Sequence, residues 1–292
     1  MNISIAKDAG LCYGVQRALN IAKSTRKKKK GPVYTLGNLV HNPQVIEELK
    51  KQGIRSVENL RGLKSGVIIT RSHGISPHLY QQLKKRKFEV VDTTCPIVKK
   101  IQSLVKSLSQ SEEEIIIVGN KNHPETKGLI GYSHQKGHVV ENSTQAKTLP
   151  HKKKRAVLAQ STQDMDLFKK IVSILLDKTK KLSVYNTICK ATLTHQKSTL
   201  HLASRVDTLF IVGGKNSSNT NKLYKISKKV LPNTFFIERA EEIVPSMLKG
   251  AQNIGISGGA STPPEALQET VEKINSFLQI QHQREKSVQC QS

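Results

Sequence analysis

A short apolar strand, a loop rich in Gly, Asn, Ser and His, then a helix: this order recurs along the chain and restricts it to few folds. Strand-like segments stand at 33–36, 67–70, 115–118, 156–159, 209–212 and 254–257, and helical stretches at 43–51, 77–87, 98–109, 164–178, 221–230 and 264–279. Strands alternating with helices specify βαβ units and parallel sheets. The loops after the six strands, at 37–43, 71–74, 119–125, 160–162, 213–219 and 258–263, resemble one another, two in each third of the 292 residues. The expected class is α/β, built as three similar small lobes.

A second echo marks the same thirds. Val90-Val-Asp-Thr-Thr-Cys95 matches Val184-Tyr-Asn-Thr-Ile-Cys189 at Val, Thr and Cys, with Asp92 set against Asn186, and Cys12 also follows a short strand. Open α/β sheets bind ligands beyond the carboxyl ends of their strands. Three lobes about a common centre would therefore aim three thiols and six polar loops at one cavity. No Cys-x-x-Cys pair is present, which disfavours a thioredoxin-type redox site and a zinc ribbon. Thiolates select soft or borderline metals, chiefly zinc or an iron–sulfur cluster. Three thiolates on a four-iron cluster would leave one iron open, as a catalytic metal requires. Cys290, in the polar stretch 281–292, reads as a spare thiol.

Ser, Asn and Lys beside glycine at a helix start suit an anion, because backbone N–H groups and the helix dipole favour negative charge there. The run 215–219 (Lys-Asn-Ser-Ser-Asn) is the densest such cluster. Neither the P-loop order nor Gly-x-Gly-x-x-Gly occurs, so nucleotide and nicotinamide fingerprints are lacking. His41, His73 and His123 occupy matching loops and read as phosphate donors or proton carriers. Glu125, two residues beyond His123 in a loop poor in other acids, suits a proton relay.

Charge bears on partners. Lys and Arg total 47 against 22 Asp and Glu, a formal +25, which attracts nucleic acid, phosphorylated ligands or an acidic protein. The basic runs at 26–30, 84–87, 152–155 and 178–181 fall between apolar segments and read as solvated loops or helix ends. Six Tyr, six Phe and no Trp supply few stacking platforms, which counts against nucleic acid. No apolar run approaches the roughly 18 residues of a membrane span. Met1–Cys12 has neither an apolar nor an Arg/Ser-rich leader, so the expected location is a reducing cytoplasm.

Eight segments together resemble the 4-hydroxy-3-methylbut-2-enyl diphosphate reductase family of the non-mevalonate isoprenoid pathway. They are Gly10-Leu-Cys-Tyr-Gly-Val15, Val40-His-Asn-Pro43, Ser72-His-Gly74, Asp92-Thr-Thr-Cys-Pro96, Asn122-His-Pro-Glu125, Ile188-Cys-Lys-Ala-Thr192, Lys215-Asn-Ser-Ser-Asn-Thr-Asn221 and Gly259-Ala-Ser-Thr-Pro263, in family order. The resemblance implies three α/β lobes in a pseudo-threefold arrangement around one [4Fe–4S] cluster per chain. By it, lobes would fall at 14–95, 96–186 and 1–13 with 187–280, leaving 281–292 as a polar tail. Cys12, Cys95 and Cys189 would hold the cluster. His41, His73, His123, Ser217, Ser218, Asn219 and Ser261 would grip the diphosphate, with Ser161 and Thr192 lining the pocket and Glu125 as proton relay. The implied reaction reduces the allylic diphosphate to isopentenyl and dimethylallyl diphosphate, with a reduced ferredoxin or flavodoxin as electron donor and no nucleic-acid or membrane partner. Four positions depart from the family pattern: Tyr13 for Ala, Ala159 and Ser161 for Thr, and His195 for Arg. A non-redox diphosphate-binding protein and a basic nucleic-acid-binding protein are the alternatives.

Overall fold

The computed structural model describes residues 2–86, 88–134 and 136–289, those from 280 by backbone alone; Cys290 lies outside the described residues. In chain order the first elements are β1 (Asn2–Ile5), α1 (Tyr13–Lys28), β2 (Val33–Leu36), α2 (Pro43–Lys51), β3 (Ile54–Val57), β4 (Val67–Ile69), α3 (Pro77–Lys85), β5 (Glu89–Val91) and α4 (Pro96–Leu108). Then come β6 (Glu114–Val118), α5 (Pro124–Tyr132), β7 (Gly137–Val140), α6 (Ser143–Thr148), β8 (Lys152–Ala159), α7 (Met165–Leu176) and β9 (Thr179–Tyr185). The last third holds α8 (Lys190–Ala203), β10 (Thr208–Val212), α9 (Ser218–Val230), β11 (Thr234–Ile237), β12 (Asn253–Gly258) and α10 (Pro264–Gln289).

These strands make three four-stranded sheets, ordered β3-β2-β4-β5, β7-β6-β8-β9 and β11-β10-β12-β1. Every pairing is parallel. The three orders are the same order: in each, the first strand of the run sits second, between its successor and the third strand, and the fourth lies at the edge. In the third sheet that edge place is taken by β1, from the opposite end of the chain. The repeat read in the sequence is thus a real α/β architecture of three like lobes.

The central strands carry apolar runs, as sheets covered on both faces require. Ile115, Ile116, Ile117 and Val118 of β6, and Leu209, Phe210, Ile211 and Val212 of β10, are fully buried. The chain gathers into two compact bodies. Of the described residues, one holds the stretch through Cys12, His41–Pro43 and the chain from Thr194 onward; the other holds Tyr13–Val40 and Gln44–Leu193. The first contains the β11-β10-β12-β1 sheet and its core of Phe210, Val212, Ile254, Ile256 and Ile274. The second contains the other two sheets, and α4 leaves the end of β5 to pack Ile101, Val105 and Leu108 against Ile115, Ile117 and Leu158.

Several elements differ from the sequence reading. α9 starts at Ser218, not 221, because Ser217 caps it: its hydroxyl accepts from the N–H of Thr220 at 3.3 Å. α4 starts at Pro96 with Cys95 as its N-cap. α10 runs on to Gln289, through part of the stretch read as tail. The basic runs at 152–155 and 178–181 are not loops or helix ends but lie largely in the paired strands β8 and β9.

Arg155 is the clearest correction, since it is fully buried rather than solvated. Its Nε meets Glu114 Oε2 at 2.6 Å, Nη1 donates to Lys178 O and Thr179 Oγ1 at 3.2 Å each, and Nη2 donates to Pro150 O at 2.6 Å. Removing one partner of a buried ion pair leaves the other charge uncompensated. Arg155→Leu should therefore lose about 3–5 kcal/mol, read as a lower urea midpoint at unchanged slope.

Candidate functional site

Cys12, Cys95 and Cys189 each stand between the edge strand of one sheet and the helix that follows it. Cys95 follows β5 and Cys189 follows β9, and Cys12 follows β1. The echo around Cys95 and Cys189 has a physical meaning. Asp92 Oδ1 accepts from the N–H of Thr94 at 2.9 Å, and Asn186 Oδ1 accepts from the N–H of Ile188 at 3.3 Å, so both acids-or-amides make the same short turn. The next residue clamps the turn to the neighbouring strand: the hydroxyl of Thr93 donates to Thr70 O, and that of Thr187 donates to Ala159 O.

The third lobe completes the rule. The N–H of Cys95 donates to Ser72 O at 2.9 Å, that of Cys189 to Ser161 O at 2.8 Å and that of Cys12 to Ala260 O at 3.1 Å. All three acceptors lie in the loop after the third strand of the cysteine's own sheet, β4, β8 or β12. The three thiols are half-buried and none is in a disulfide. Each sits at the positive end of a helix, α1, α4 or α8. A soft, electron-rich metal–sulfur group suits such donors.

In the body containing the second sheet, Glu125 is 1% exposed. Both its oxygens are held by one residue: the Ser161 N–H donates to Oε1 at 2.7 Å and the Ser161 hydroxyl to Oε2 at 2.6 Å. Burial pushes the Glu125 carboxyl above its ordinary pKa, against the pull of the two Ser161 bonds. Ser161 is itself pinned, its carbonyl accepting from the Cys189 N–H and from the Thr192 hydroxyl at 3.1 Å. Thr192 thus supports the loop, and Ser161 joins the carboxyl to the cysteine segment through one residue. Gln160 braces the same turn: its Oε1 accepts from the N–H of Asn120 at 3.0 Å and the hydroxyl of Thr126 at 3.3 Å.

His123 caps α5, its Nδ1 accepting from the N–H of Glu125 at 3.2 Å, which places the ring proton on Nε2. The His73 ring meets the His123 ring edge-on, centroids 5.0 Å apart. Glu125, Ser161, Thr192, Cys189, His123 and His73 all lie in this one body. The partnership of Glu125 with Ser161 in particular had no signal in spacing.

The other body holds the densest polar loop. Ser217, Ser218 and Asn219 open α9, and Asn219 is 3% exposed with neither amide atom bonded among the described residues. Two further loops close on this one. Ser261 Oγ donates to His41 O at 3.3 Å, and Thr262 Oγ1 to Val212 O at 2.7 Å. Lys215 turns aside, its Nζ 3.1 Å from Glu242. Glycine is required here: a Cβ on Gly214 would lie 2.2 Å from the His41 carbonyl oxygen. Gly214→Ala should cost about 1–3 kcal/mol of stability, while Gly31→Ala, with nothing within 4 Å, should be neutral in the same denaturant titration.

Of the departures, Tyr13 is 75% exposed, whereas His195 is 6% exposed. Burial holds the His195 imidazole below its ordinary pKa, partly opposed by Asp8.

The sequence model of the LytB protein family matches residues 3–275. A 4-hydroxy-3-methylbut-2-enyl diphosphate reductase of Caldanaerobacter subterraneus is 44% identical over 281 residues, 95% of this chain and 98% of that one. The protein of the same name from Aquifex aeolicus is 39% identical over 284 residues, 96% of this chain and 98% of its own. Among solved structures, (E)-4-hydroxy-3-methyl-but-2-enyl diphosphate reductase, described as the terminal enzyme of the non-mevalonate pathway, aligns with TM-score 0.67 at 40% identity, covering 94% of this chain and 99% of that one. The E-1-hydroxy-2-methyl-but-2-enyl-4-diphosphate reductase from Plasmodium falciparum aligns with TM-score 0.89 at 30% identity, covering 93% and 87%. No described helix is long and apolar enough to cross a membrane.

Proposed function

The chain belongs to the LytB family, and we propose that it reduces 4-hydroxy-3-methylbut-2-enyl diphosphate to isopentenyl and dimethylallyl diphosphate. The observation that carries this reading is the buried Glu125 carboxyl, bonded twice to Ser161 and through it to the Cys189 segment. Cys12, Cys95 and Cys189 are the three thiols that hold a [4Fe–4S] cluster in this reading, and their softness, half-burial and helix-end positions fit it. Such a cluster supplies single electrons and a Lewis-acidic open iron.

The chain's own residues manage protons and the anion. Loss of the allylic hydroxyl as water consumes two electrons and two protons. Glu125 holds one proton at Oε2, where burial favours the neutral acid. In that state Oε2–H donates to Ser161 Oγ, and the Ser161 hydroxyl proton is released towards the departing oxygen. Once the proton has passed, the ionised carboxylate accepts both Ser161 bonds. His73 and His123, with Nε2–H of His123 as donor, and the loop of His41, Ser217, Ser218, Asn219 and Ser261 serve the diphosphate. Asn219, buried with its amide unbonded among the described residues, has the capacity to meet one of its oxygens. Lobe boundaries at 14–95, 96–186 and 1–13 with 187–280 suit this reading, as does a reducing cytoplasm.

The test is anaerobic purification with iron and sulfide analysis, followed by turnover of the substrate with a chemical reductant. About four irons per chain and both products support the proposal. Colourless protein, still iron-free after anaerobic reconstitution, would overturn it in favour of a non-redox diphosphate-binding protein.

A further inference from the structure

A cavity of about 260 Å³ lies in the second body. It is lined by the turns after β4 and β5 and by side chains of α3, α4 and the end of α5. None of the residues given a part in catalysis or in holding the diphosphate lines it. Lys99, Gln102 and Ser103 enter from α4, spaced i, i+3 and i+4 on one stripe of the helix. Tyr80 of α3 and Tyr132 of α5 add two phenol rings to the wall.

The bonding capacity left over in this cavity is that of donors. Asp92 is the acid in its wall, and both carboxylate oxygens are occupied. Oδ1 accepts from the Thr70 hydroxyl at 3.0 Å and the Thr94 N–H at 2.9 Å, and Oδ2 meets Lys99 Nζ at 2.6 Å. The Lys99 ammonium carries three N–H donors, more than one ion pair uses. Gln102 is 5% exposed, and its Nε2 has no hydrogen-bond partner among the described residues. A buried amide left unpaired is costly, and an acceptor that reaches it removes the cost. Burial, reinforced by the charge of Asp92, pushes the Tyr132 phenol above its ordinary pKa, so its hydroxyl keeps its proton and can donate. A second cation stands nearby, with Lys84 Nζ 5.2 Å from the centre of the Tyr80 ring.

Donors set among two aromatic rings and Ile75 specify an anion that carries a carbon chain. Among the described residues of the wall there is no arginine, the side chain whose planar fork matches a carboxylate. Lysine beside hydroxyls suits the oxygens of a phosphate. We propose that this cavity is a second binding site, separate from the candidate catalytic site, for a small organic phosphate monoester. Lys99, Ser103 and the Gln102 amide meet the phosphate oxygens, and the carbon chain lies against Ile75 and the tyrosine rings. The anion shares Lys99 with Asp92, whose other oxygen shapes the Cys95 turn, and so sits one ion pair from that turn.

The experiment uses the full chain, purified without oxygen, and glycerol 3-phosphate as probe, with titration calorimetry to read binding apart from turnover. The wild type should bind the probe saturably, and more tightly than inorganic phosphate or succinate. Ser103→Glu, which puts a carboxylate in the cavity, should weaken binding at least tenfold. Gln102→Leu should weaken it severalfold while its urea midpoint holds or rises, because an apolar side chain leaves no buried amide unpaired. Asn219→Ala, in the loop assigned to the diphosphate, should bind the probe as the wild type does. Absence of wild-type binding, or wild-type affinity in Ser103→Glu, would overturn the proposal. Equal losses in Asn219→Ala and Ser103→Glu would overturn it too, by placing the probe in the diphosphate loop. Inorganic phosphate or succinate binding as tightly as the ester would refute the ligand class. A lowered urea midpoint with unchanged binding in Gln102→Leu would make that amide a structural group and remove it from the site.

Discussion

Glu125→Gln should lower turnover by about a hundred- to ten-thousandfold, the usual worth of a positioned general acid, while the visible absorption of the iron–sulfur group stays intact. The substitution is nearly isosteric. A glutamine Oε1 can accept from the Ser161 N–H in place of the carboxylate oxygen now at 2.7 Å, and Nε2 can donate to the Ser161 hydroxyl now at 2.6 Å. What disappears is the proton. Stability gives an independent reading. Burial raises the Glu125 pKa in the folded state, so the folded protein binds this proton more tightly than the unfolded chain. Ionisation therefore opposes folding, and its penalty grows as pH rises from the unfolded carboxyl pKa, about 4.3, through the raised folded value. Relative to wild type, Glu125→Gln should gain urea resistance over that window and match it in more acidic solution. Near-normal turnover would remove Glu125 from the relay. Collapse of the absorption would make it a structural support of the cysteine loop instead.

How much of this was legible in the sequence depends on whether a contact is local. The parallel α/β plan was, because apolar runs such as 115–118 in β6 and 209–212 in β10 announce sheets covered on both faces. The Cys95 and Cys189 turns were visible as a repeated Asp/Asn-Thr-x-Cys, since the hydrogen bonds that shape them span two residues. Edge strands such as β5 and β9 were harder. β5 has three residues and β9 carries Lys180 and Lys181, so neither shows an apolar run. Arg155 misled for a related reason: three exposed lysines precede it in one strand, and its burial depends on Glu114 across the sheet. Ser161 stood in a recognised polar loop, yet its hold on Glu125 joins residues 36 apart. No spacing rule contains such a pairing; it exists because β6 and β8 are neighbours and their following loops meet.

Changing any one of Cys12, Cys95 or Cys189 to serine should bring iron well below four per chain and abolish turnover, with secondary structure unchanged. The fold has little stake in the sulfur atoms. None is in a disulfide, and the three turns are secured by the backbone N–H of each cysteine, to Ala260, Ser72 and Ser161, which serine retains. Serine is also a better helix N-cap than cysteine, so α4 should gain slightly from Cys95→Ser. Far-ultraviolet circular dichroism of the apo forms should therefore match wild type, and their urea midpoints should match it or, for Cys95→Ser, lie slightly above it, which separates loss of a ligand from loss of fold. The oxygen that replaces sulfur is a hard ligand, poorly matched to iron in a cluster that thiolates favour. Cys290→Ser supplies the contrast: iron and turnover should both be unaffected, because only the three strand-end thiols repeat with the sheets. Full iron in Cys95→Ser together with iron loss in Cys290→Ser would reverse the assignment and require the ligand set to break the threefold pattern of the lobes.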